Sequence, residues 1–315
     1  MNSEIHSKAP EIKDIKEIFM PDIKVVSLPN GVPLTIIQGG SQEVMKLEFI
    51  FNAGRITEDK KLVAKSTATL MKEGAGELSG YAIAEQLDYY GATLRIRANM
   101  DSISISFYSM SKHFKSLLPV LEQVFFEPHF KEKDLNQYKI RNIQRLKEDL
   151  SKNEIVAYRS ITEQIFTKDH PYGYNSSEKD YSLLEIEDLK NHYSKFINSN
   201  GFEIILSGKT DDTVVNQIRQ SFGQHKILSN SQEPFKKPAL YKPSNIQIPS
   251  VQDRQNAICV GLRLFNRTHP SYGGLYVLNT ILGGYFGSRL MANLREKNGF
   301  TYNVYSMLDV MKHDG

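Results

Sequence analysis

The sequence feature that most constrains the fold is a pair of alternating apolar runs separated by a short polar turn. The apolar positions are Leu94, Ile96, Ala98 and Met100 in the first run, and Ile103, Ile105 and Phe107 in the second. An alternation with a period of two places one apolar face on a β-strand. Asp101-Ser102 between the runs favours a turn. The two runs therefore predict paired strands that bury one face of a sheet.

Other patterns predict the elements around these two strands. Further strands are expected at 24–28, 33–37, 44–53 and 202–206. Helices are expected at 60–74, 79–90, 114–125, 134–151, 154–166, 184–197 and 211–222. This arrangement indicates an α+β fold, with an antiparallel or mixed β-sheet and helices packed on one side.

The order of elements in the first part of the chain recurs near its C-terminus. The first copy runs strand, helix, Gly74, helix, Gly91 and strand. The second consists of a strand at 257–264, a helix at 272–282, Gly283-Gly284, a helix ending at Asn298, and a strand. The repetition predicts a duplicated domain. Because the second copy is much shorter, we expect either a truncated chain or a missing part that something else supplies.

The duplication and the local composition together predict four regions. We expect an N-terminal arm over residues 1–22 and a first α+β domain over 23–227. Residues 228–250 are rich in Ser, Asn, Gln and Pro, which is typical of a linker. Residues 251–315 would be the N-terminal part of the second domain.

Composition argues against several classes of function. The 315 residues carry a net charge of +3 and their basic residues alternate with acids, so nothing favours nucleic acid as a partner. No apolar run reaches the length of a membrane span, and residues 1–16 lack the apolar core of a signal peptide, which indicates a cytoplasmic protein. The single cysteine, Cys259, lies in an apolar run and is predicted to be a buried core residue.

Residues 294–302, with the sequence LREKNGFTY, combine a structural signal with a chemical one. A helix is expected to end at Asn298-Gly299, because both residues tolerate the left-handed conformation that closes a helix, and a strand to begin near Phe300. This turn would bring Arg295 near Tyr302. A guanidinium and a phenol hydroxyl can hold a peptide carbonyl or a developing oxyanion. Both residues also have structural uses, at a helix C-terminus and in a strand.

Three features together resemble the insulinase/pitrilysin family of zinc peptidases: the duplicated α+β unit, residues 282–306 and the loop motif His170-Pro171-Tyr172-Gly173. The most specific segments read LGGYFGSRL at 282–290, LREK at 294–297 and YNVYS at 302–306. In that family an Arg and a Tyr seven positions apart bind the substrate backbone beside the metal. Arg295 and Tyr302 match this motif, so the resemblance implies that they bind substrate. We expect the His170 loop to position a helix rather than to catalyse.

The resemblance also implies a metal site, which this sequence does not preserve. The family carries His-x-x-Glu-His on its first long helix, where the histidines bind zinc and the glutamate is the base. The matching positions here are Lys65, Ala68 and Thr69. Ala68 cannot take a proton, Lys65 places a positive charge where zinc belongs, and Thr69 is at best a weak ligand. Around the position of the third, carboxylate ligand the chain has Gln144, Arg145 and Leu146, with Glu148 nearby.

These observations predict a member of the family that binds no cofactor itself. By resemblance to heterodimeric, processing-peptidase-like members, we expect a non-catalytic subunit that contributes Arg295 and Tyr302 to a site whose zinc lies on a partner subunit, acting on unfolded peptides. The alternative is a catalytically inert assembly subunit that uses the same fold as a scaffold. An autonomous peptidase with a displaced metal site is disfavoured, because no two of the eight histidines lie three to five positions apart.

Overall fold

A computed structural model describes residues 11–14, 17–227, 242–249 and 255–315. The strands are β1 (Ile23–Ser27), β2 (Pro33–Gln38), β3 (Val44–Phe51), β4 (Gly74–Ala75), β5 (Leu78–Ser79), β6 (Thr93–Ala98), β7 (Ile103–Met110) and β8 (Phe202–Gly208). Six of them form one mixed sheet in the order β1-β2-β8-β3-β7-β6, and β4 pairs with β5. The α+β class and the mixed sheet predicted from the sequence are confirmed.

The two alternating runs form the strands β6 and β7, as predicted, and these two strands lie at one edge of the sheet. Leu94 lies opposite Phe107 and Ile96 opposite Ile105. β3 pairs antiparallel with both β7 and β8. β8 lies parallel to β2, and parallel strands require a long crossover connection. The chain between these two strands carries most of the helices of the first unit, residues 23–222.

Helices cover one face of the sheet. They are α1 (Val63–Leu70), α2 (Gly80–Tyr89), α3 (Phe114–Phe126), α4 (Glu132–Leu150), α5 (Asn153–Phe166), α6 (Glu178–Ser182), α7 (Ile186–Tyr193) and α8 (Asp212–Phe222), followed in the second unit by α9 (Tyr272–Asn279). Side chains cap several of these helices: Ser79 accepts a hydrogen bond from the Ala82 N–H, and Asp211 from the Val214 N–H. Every helix predicted in the first unit is present within a few residues, and only the short α6 lacked a prediction.

The core lies between this helical layer and the apolar face of the sheet. Met45, Leu47, Phe49 and Phe51 of β3 are buried, and the residues between them face the opposite, partly exposed side. Phe125 of α3 lies at the centre of the core. Its ring centroid is within 5.5 Å of five other phenylalanine rings, those of Phe49, Phe51, Phe126, Phe202 and Phe222.

Residues 255–315 do not form the second sheet that the duplication predicts. α9 continues into a π-helical turn at Thr280–Gly284, and a second π-helical segment spans Met291–Lys297. The strands predicted at 257–264 and from residue 300 are absent from this described part of the chain. A strand requires a hydrogen-bonded neighbour, and these extended segments make only isolated bonds, such as that from the Leu264 N–H to the Gly315 carbonyl. Cys259 is therefore exposed, and the prediction that it is buried is wrong.

The end of the chain packs against the first unit. The Tyr158 hydroxyl of α5 donates a hydrogen bond to Asp309 at 2.5 Å, and the Lys312 N–H donates to Asp101 at 2.8 Å. Of the predicted arm, residues 11–14 and 17–22 are described and are exposed, and of the predicted linker, residues 242–249. The remainder of both lies outside the described residues. No helix within the described ranges is both long and apolar enough to cross a membrane.

Candidate functional site

The residues at the zinc-motif positions lie on α1. Ala68 is fully buried against the core, Lys65 is exposed and Thr69 is half-buried. The Thr69 hydroxyl donates a hydrogen bond to the Lys65 carbonyl at 2.8 Å, within the same helix. Lys65 and Thr69 are four positions apart and so lie one helical turn apart on the same face, as the two histidines of the family motif would.

α4 packs against α1 and brings a second cation to this place. Burial lowers the pKa of Lys65, and the nearby Arg145 guanidinium lowers it further, while Asp149 acts in the opposite direction. The Arg145 Nε lies 4.0 Å from Asp149 Oδ2. Arg145 thus lies close enough to Lys65 to affect its pKa. Arg145 belongs to α4, the helix that carries the carboxylate zinc ligand in the family that this chain resembles.

These side chains do not fit a zinc ion. Zinc in proteins is held by thiolate, imidazole and carboxylate groups. The α1 positions offer an ammonium, a methyl group and a hydroxyl whose hydrogen is already used, and α4 contributes a guanidinium. Within the described parts of the chain, no three His, Cys, Asp or Glu residues cluster closely enough to hold a metal ion elsewhere.

We predict that the purified chain will take up well below one zinc ion per molecule, even after growth with added zinc. A variant combining Lys65→His, Ala68→Glu, Thr69→His and Arg145→Glu restores the donor types that zinc prefers and is expected to bind substantially more metal. Elemental analysis of both proteins measures this directly. Stoichiometric zinc in the unmodified chain would contradict our view of the site.

A buried cluster that the sequence patterns did not identify holds the start of α1. Glu58 accepts hydrogen bonds from the Ala64 N–H at 2.9 Å and the Leu62 N–H at 3.2 Å, and the Tyr174 hydroxyl donates to it at 2.5 Å. A carboxylate at a helix N-terminus satisfies free N–H groups and complements the helix dipole. The Arg55 guanidinium lies over the Tyr174 ring, 3.2 Å from its centroid. The cluster therefore fixes the helix that carries Lys65.

The His170 loop contributes to this cluster through Tyr174, the residue that follows it. The loop itself is closed by local bonds, including one from the Tyr172 N–H to Nδ1 of the buried His170 at 3.1 Å. Tyr174 then reaches the N-terminus of α1. This arrangement matches the expectation that the loop positions a helix. The only sequence pattern that pointed to this cluster was the loop motif at 170–173, because Tyr174 directly follows it.

Ionisation of Glu58 should make stability depend on pH. Burial raises the pKa of Glu58 from 4.5 to about 7. The folded state therefore keeps a proton that the unfolded chain loses, and the free energy of unfolding should fall by about 2 kcal/mol as pH rises from about 5 to 7. Glu58→Gln should abolish the loss of unfolding free energy that ionisation of Glu58 causes. The control Glu85→Gln, which replaces an exposed carboxylate on α2, should keep that loss. Urea denaturation between pH 5 and 8 tests the difference, and identical pH profiles for all three proteins would contradict it.

Arg295 and Tyr302 lie on either side of a turn closed by Gly299. Gly299 has φ +63°, and its N–H donates to the Arg295 carbonyl at 3.0 Å while the Phe300 N–H donates to the Leu294 carbonyl at 2.9 Å. The helical segment thus ends where the sequence predicted. The Arg295 guanidinium lies over the Phe286 ring, 4.8 Å from its centroid. Tyr302 is 89% exposed, and its hydroxyl has no hydrogen-bond partner among the described residues.

The family model of the peptidase M16 inactive domain matches residues 184–315. The match covers the segment that carries Arg295 and Tyr302. The C-terminal part of the chain is therefore similar to a peptidase M16 inactive domain. The resemblance to the insulinase/pitrilysin zinc peptidases, of the type that lacks the zinc motif, is thereby confirmed.

The proteins similar to this chain include one described as a zinc protease and one described as a non-peptidase homolog. The chain is 22% identical over 236 residues to the uncharacterized zinc protease YmxG of Bacillus subtilis, which covers 74% of this chain and 57% of that protein. It is 22% identical over 267 residues to the non-peptidase homolog YmxG of Helicobacter pylori, covering 82% of this chain and 61% of that protein. The chain therefore spans about three-fifths of the length of these two relatives.

A solved structure supports the fold across nearly the whole chain. The crystal structure of a peptidase M16 inactive domain from Pseudomonas fluorescens matches with a TM-score of 0.81 and 22% identity, covering 93% of this chain and 72% of that one. The likeness extends beyond residues 184–315, so the first unit shares the M16 fold although its zinc motif is lost.

Proposed function

We propose that this chain is the non-catalytic, substrate-binding subunit of a heterodimeric zinc metallopeptidase that acts on unfolded peptides. Its Arg295 and Tyr302 would complete a site whose zinc, two histidines and catalytic glutamate belong to a partner subunit. The observation that carries the proposal is the contrast between the two halves of the site. The metal half has none of the family's donors, whereas the exposed Tyr302 and the half-buried Arg295 lie on either side of the Gly299 turn.

The chemistry of this pair suits a peptide bond. The Tyr302 hydroxyl and the Arg295 guanidinium can both donate hydrogen bonds to a carbonyl oxygen, and to the oxyanion that forms when water attacks the carbonyl. Within the described residues, neither group forms an ion pair or a side-chain hydrogen bond inside the chain; the guanidinium rests only on Phe286. Both donors are therefore available to a ligand.

Exposed apolar side chains in residues 255–315 support association with another protein. They include Ile258, Val260, Phe286, Phe300, Tyr276 and Leu278. Large exposed apolar side chains are a frequent component of surfaces that bind other proteins. This surface fits the proposed heterodimer and fits equally the alternative function, an inert scaffold subunit.

Mixing experiments separate the two functions. The chain is combined with a zinc-motif-bearing M16 protein from the same organism, and association is followed by size-exclusion chromatography and cleavage by a quenched fluorescent peptide. We expect the mixture to cleave the peptide and neither protein alone to do so. Stable association without cleavage favours the scaffold, and the absence of association contradicts both functions.

A further inference from the structure

The place where α1 crosses α4 has a charge distribution that the proposed function does not use. α4 contributes Tyr138, Asn142, Arg145 and Asp149, whose spacing of three and four residues puts them along one face of the helix. Tyr138 is buried at the crossing, and Leu146 beside Arg145 is also buried. α1 and α4 pack against each other, and Arg145 and Asp149 are the charged side chains of α4 whose charges act on Lys65.

This crossing carries more positive than negative charge. Lys65 has no ion-pair partner within 4.0 Å among the described residues, and the only carboxylate paired with Arg145 is Asp149, at the outer limit of 4.0 Å. Glu58 does not neutralise Lys65, because its oxygens are held by the Leu62 and Ala64 N–H groups and by Tyr174. Two cations thus share one carboxylate.

A shallow cleft opens next to this crossing. Its volume is about 260 Å³. The residues that line it are Leu150, Val156, Arg159, Ser160, Glu163, Asn175 and Ile248. Leu150 directly follows Asp149, so the cleft begins where the charged stripe of α4 ends.

We propose that the position of the lost metal is a binding site for a carboxylate group of a peptide, held by Lys65 and Arg145. In a zinc-bearing subunit the metal supplies two positive charges at this place, and here an ammonium and a guanidinium supply them. Both donate charge-assisted hydrogen bonds to a carboxylate, and the guanidinium can do so with two parallel bonds. The bound group is either an acidic side chain or the C-terminal carboxylate of the peptide. The inference rests on the proposed function only in that the ligand is a peptide.

Fluorescence anisotropy with three labelled unstructured peptides of otherwise identical sequence tests the proposal on the full chain. One peptide is neutral with an amidated C-terminus, one has a free C-terminal carboxylate, and one is amidated with a single central Glu. We expect at least one carboxylate peptide to bind about tenfold tighter than the neutral one. The preference should vanish in Lys65→Met/Arg145→Met and persist in Arg141→Met, one turn earlier on α4.

The outcomes separate this inference from the proposed function. The carboxylate peptide that shows the preference identifies the source of the bound group. If all three peptides bind the unmodified chain equally, or if the preference survives in Lys65→Met/Arg145→Met, the carboxylate site is refuted while peptide binding stands. If none of the peptides binds, substrate binding by the isolated chain is refuted as well. Circular dichroism verifies that the variants fold, which we expect because both replaced side chains are exposed.

Discussion

Arg295→Ala is expected to lower peptide turnover by the assembled heterodimer about a hundredfold or more, with the zinc content of the complex unchanged. Removal of one donor that stabilises a developing oxyanion raises the barrier by about 2.7–4 kcal/mol. Tyr302→Phe removes the other donor and should have a similar effect. Because both side chains are accessible and hold no part of the core, these losses should occur without loss of folding.

Matched controls come from the same unit. Arg289→Ala removes an exposed arginine six positions before Arg295, and Tyr276→Phe removes a hydroxyl from exposed Tyr276 on α9. Both should retain turnover close to that of the unmodified complex. Steady-state kinetics with saturating partner, together with elemental analysis, measures the effect. Unchanged turnover in Arg295→Ala and Tyr302→Phe would remove both residues from the site.

Phe125→Ala should cause the largest loss of stability. Phe125 is fully buried in contact with the other rings of the core, and its ring centroid lies 5.2 Å from that of Phe49 and 5.2 Å from that of Phe222. Truncation to alanine removes buried apolar area and leaves a cavity, which typically costs about 3–5 kcal/mol. We expect the free energy of unfolding to fall by that amount.

Urea denaturation followed by far-UV circular dichroism measures this loss, since the chain contains no tryptophan. The control Tyr81→Ala replaces an exposed ring on α2 and should change stability by no more than about 0.5 kcal/mol. A loss below about 1 kcal/mol for Phe125→Ala would mean that the packing around this ring differs from the one described.

Local sequence patterns predicted the helices and strands of the first unit well, because the apolar face that each pattern predicts is the face that packs into the core. The alternation at 94–107 predicted β6 and β7, and the edge position of this hairpin follows from which strands pair, which no local pattern encodes. The parallel pairing of β8 with β2 joins segments nearly 170 residues apart, as Leu34 faces Ile204. Periodicity cannot indicate such a pairing.

The second unit shows the limit of the same reasoning. Strands were predicted at 257–264 and after residue 300 from apolar content alone, but a strand exists only when a neighbour satisfies its backbone. No such neighbour is present among the described residues of this unit, so Cys259 is exposed instead of buried. In contrast, the turn at Gly299 depends only on local backbone conformation, and it formed where predicted.

In the candidate site, too, the features that depend on local backbone structure were predicted and those that depend on distant contacts were not. The motif positions of Lys65, Ala68 and Thr69 lie on a helix, as expected, and the position of Arg295 follows from the end of its helical segment. The Glu58 cluster was missed because it joins Glu58 to Tyr174, 116 positions away, through a bond between side chains. Its charge state depends on burial, which the sequence pattern does not reveal.

The most direct test of our central proposal is photo-crosslinking from position 302 to a peptide in the assembled complex. Tyr302 is replaced by p-azidophenylalanine, and the partner carries an inactivating substitution of its catalytic glutamate so that the peptide stays bound. We predict a crosslink to the peptide only when the partner is present, and none from the same group at position 276. A position-302 probe that labels no peptide in a stable complex would contradict the shared active site.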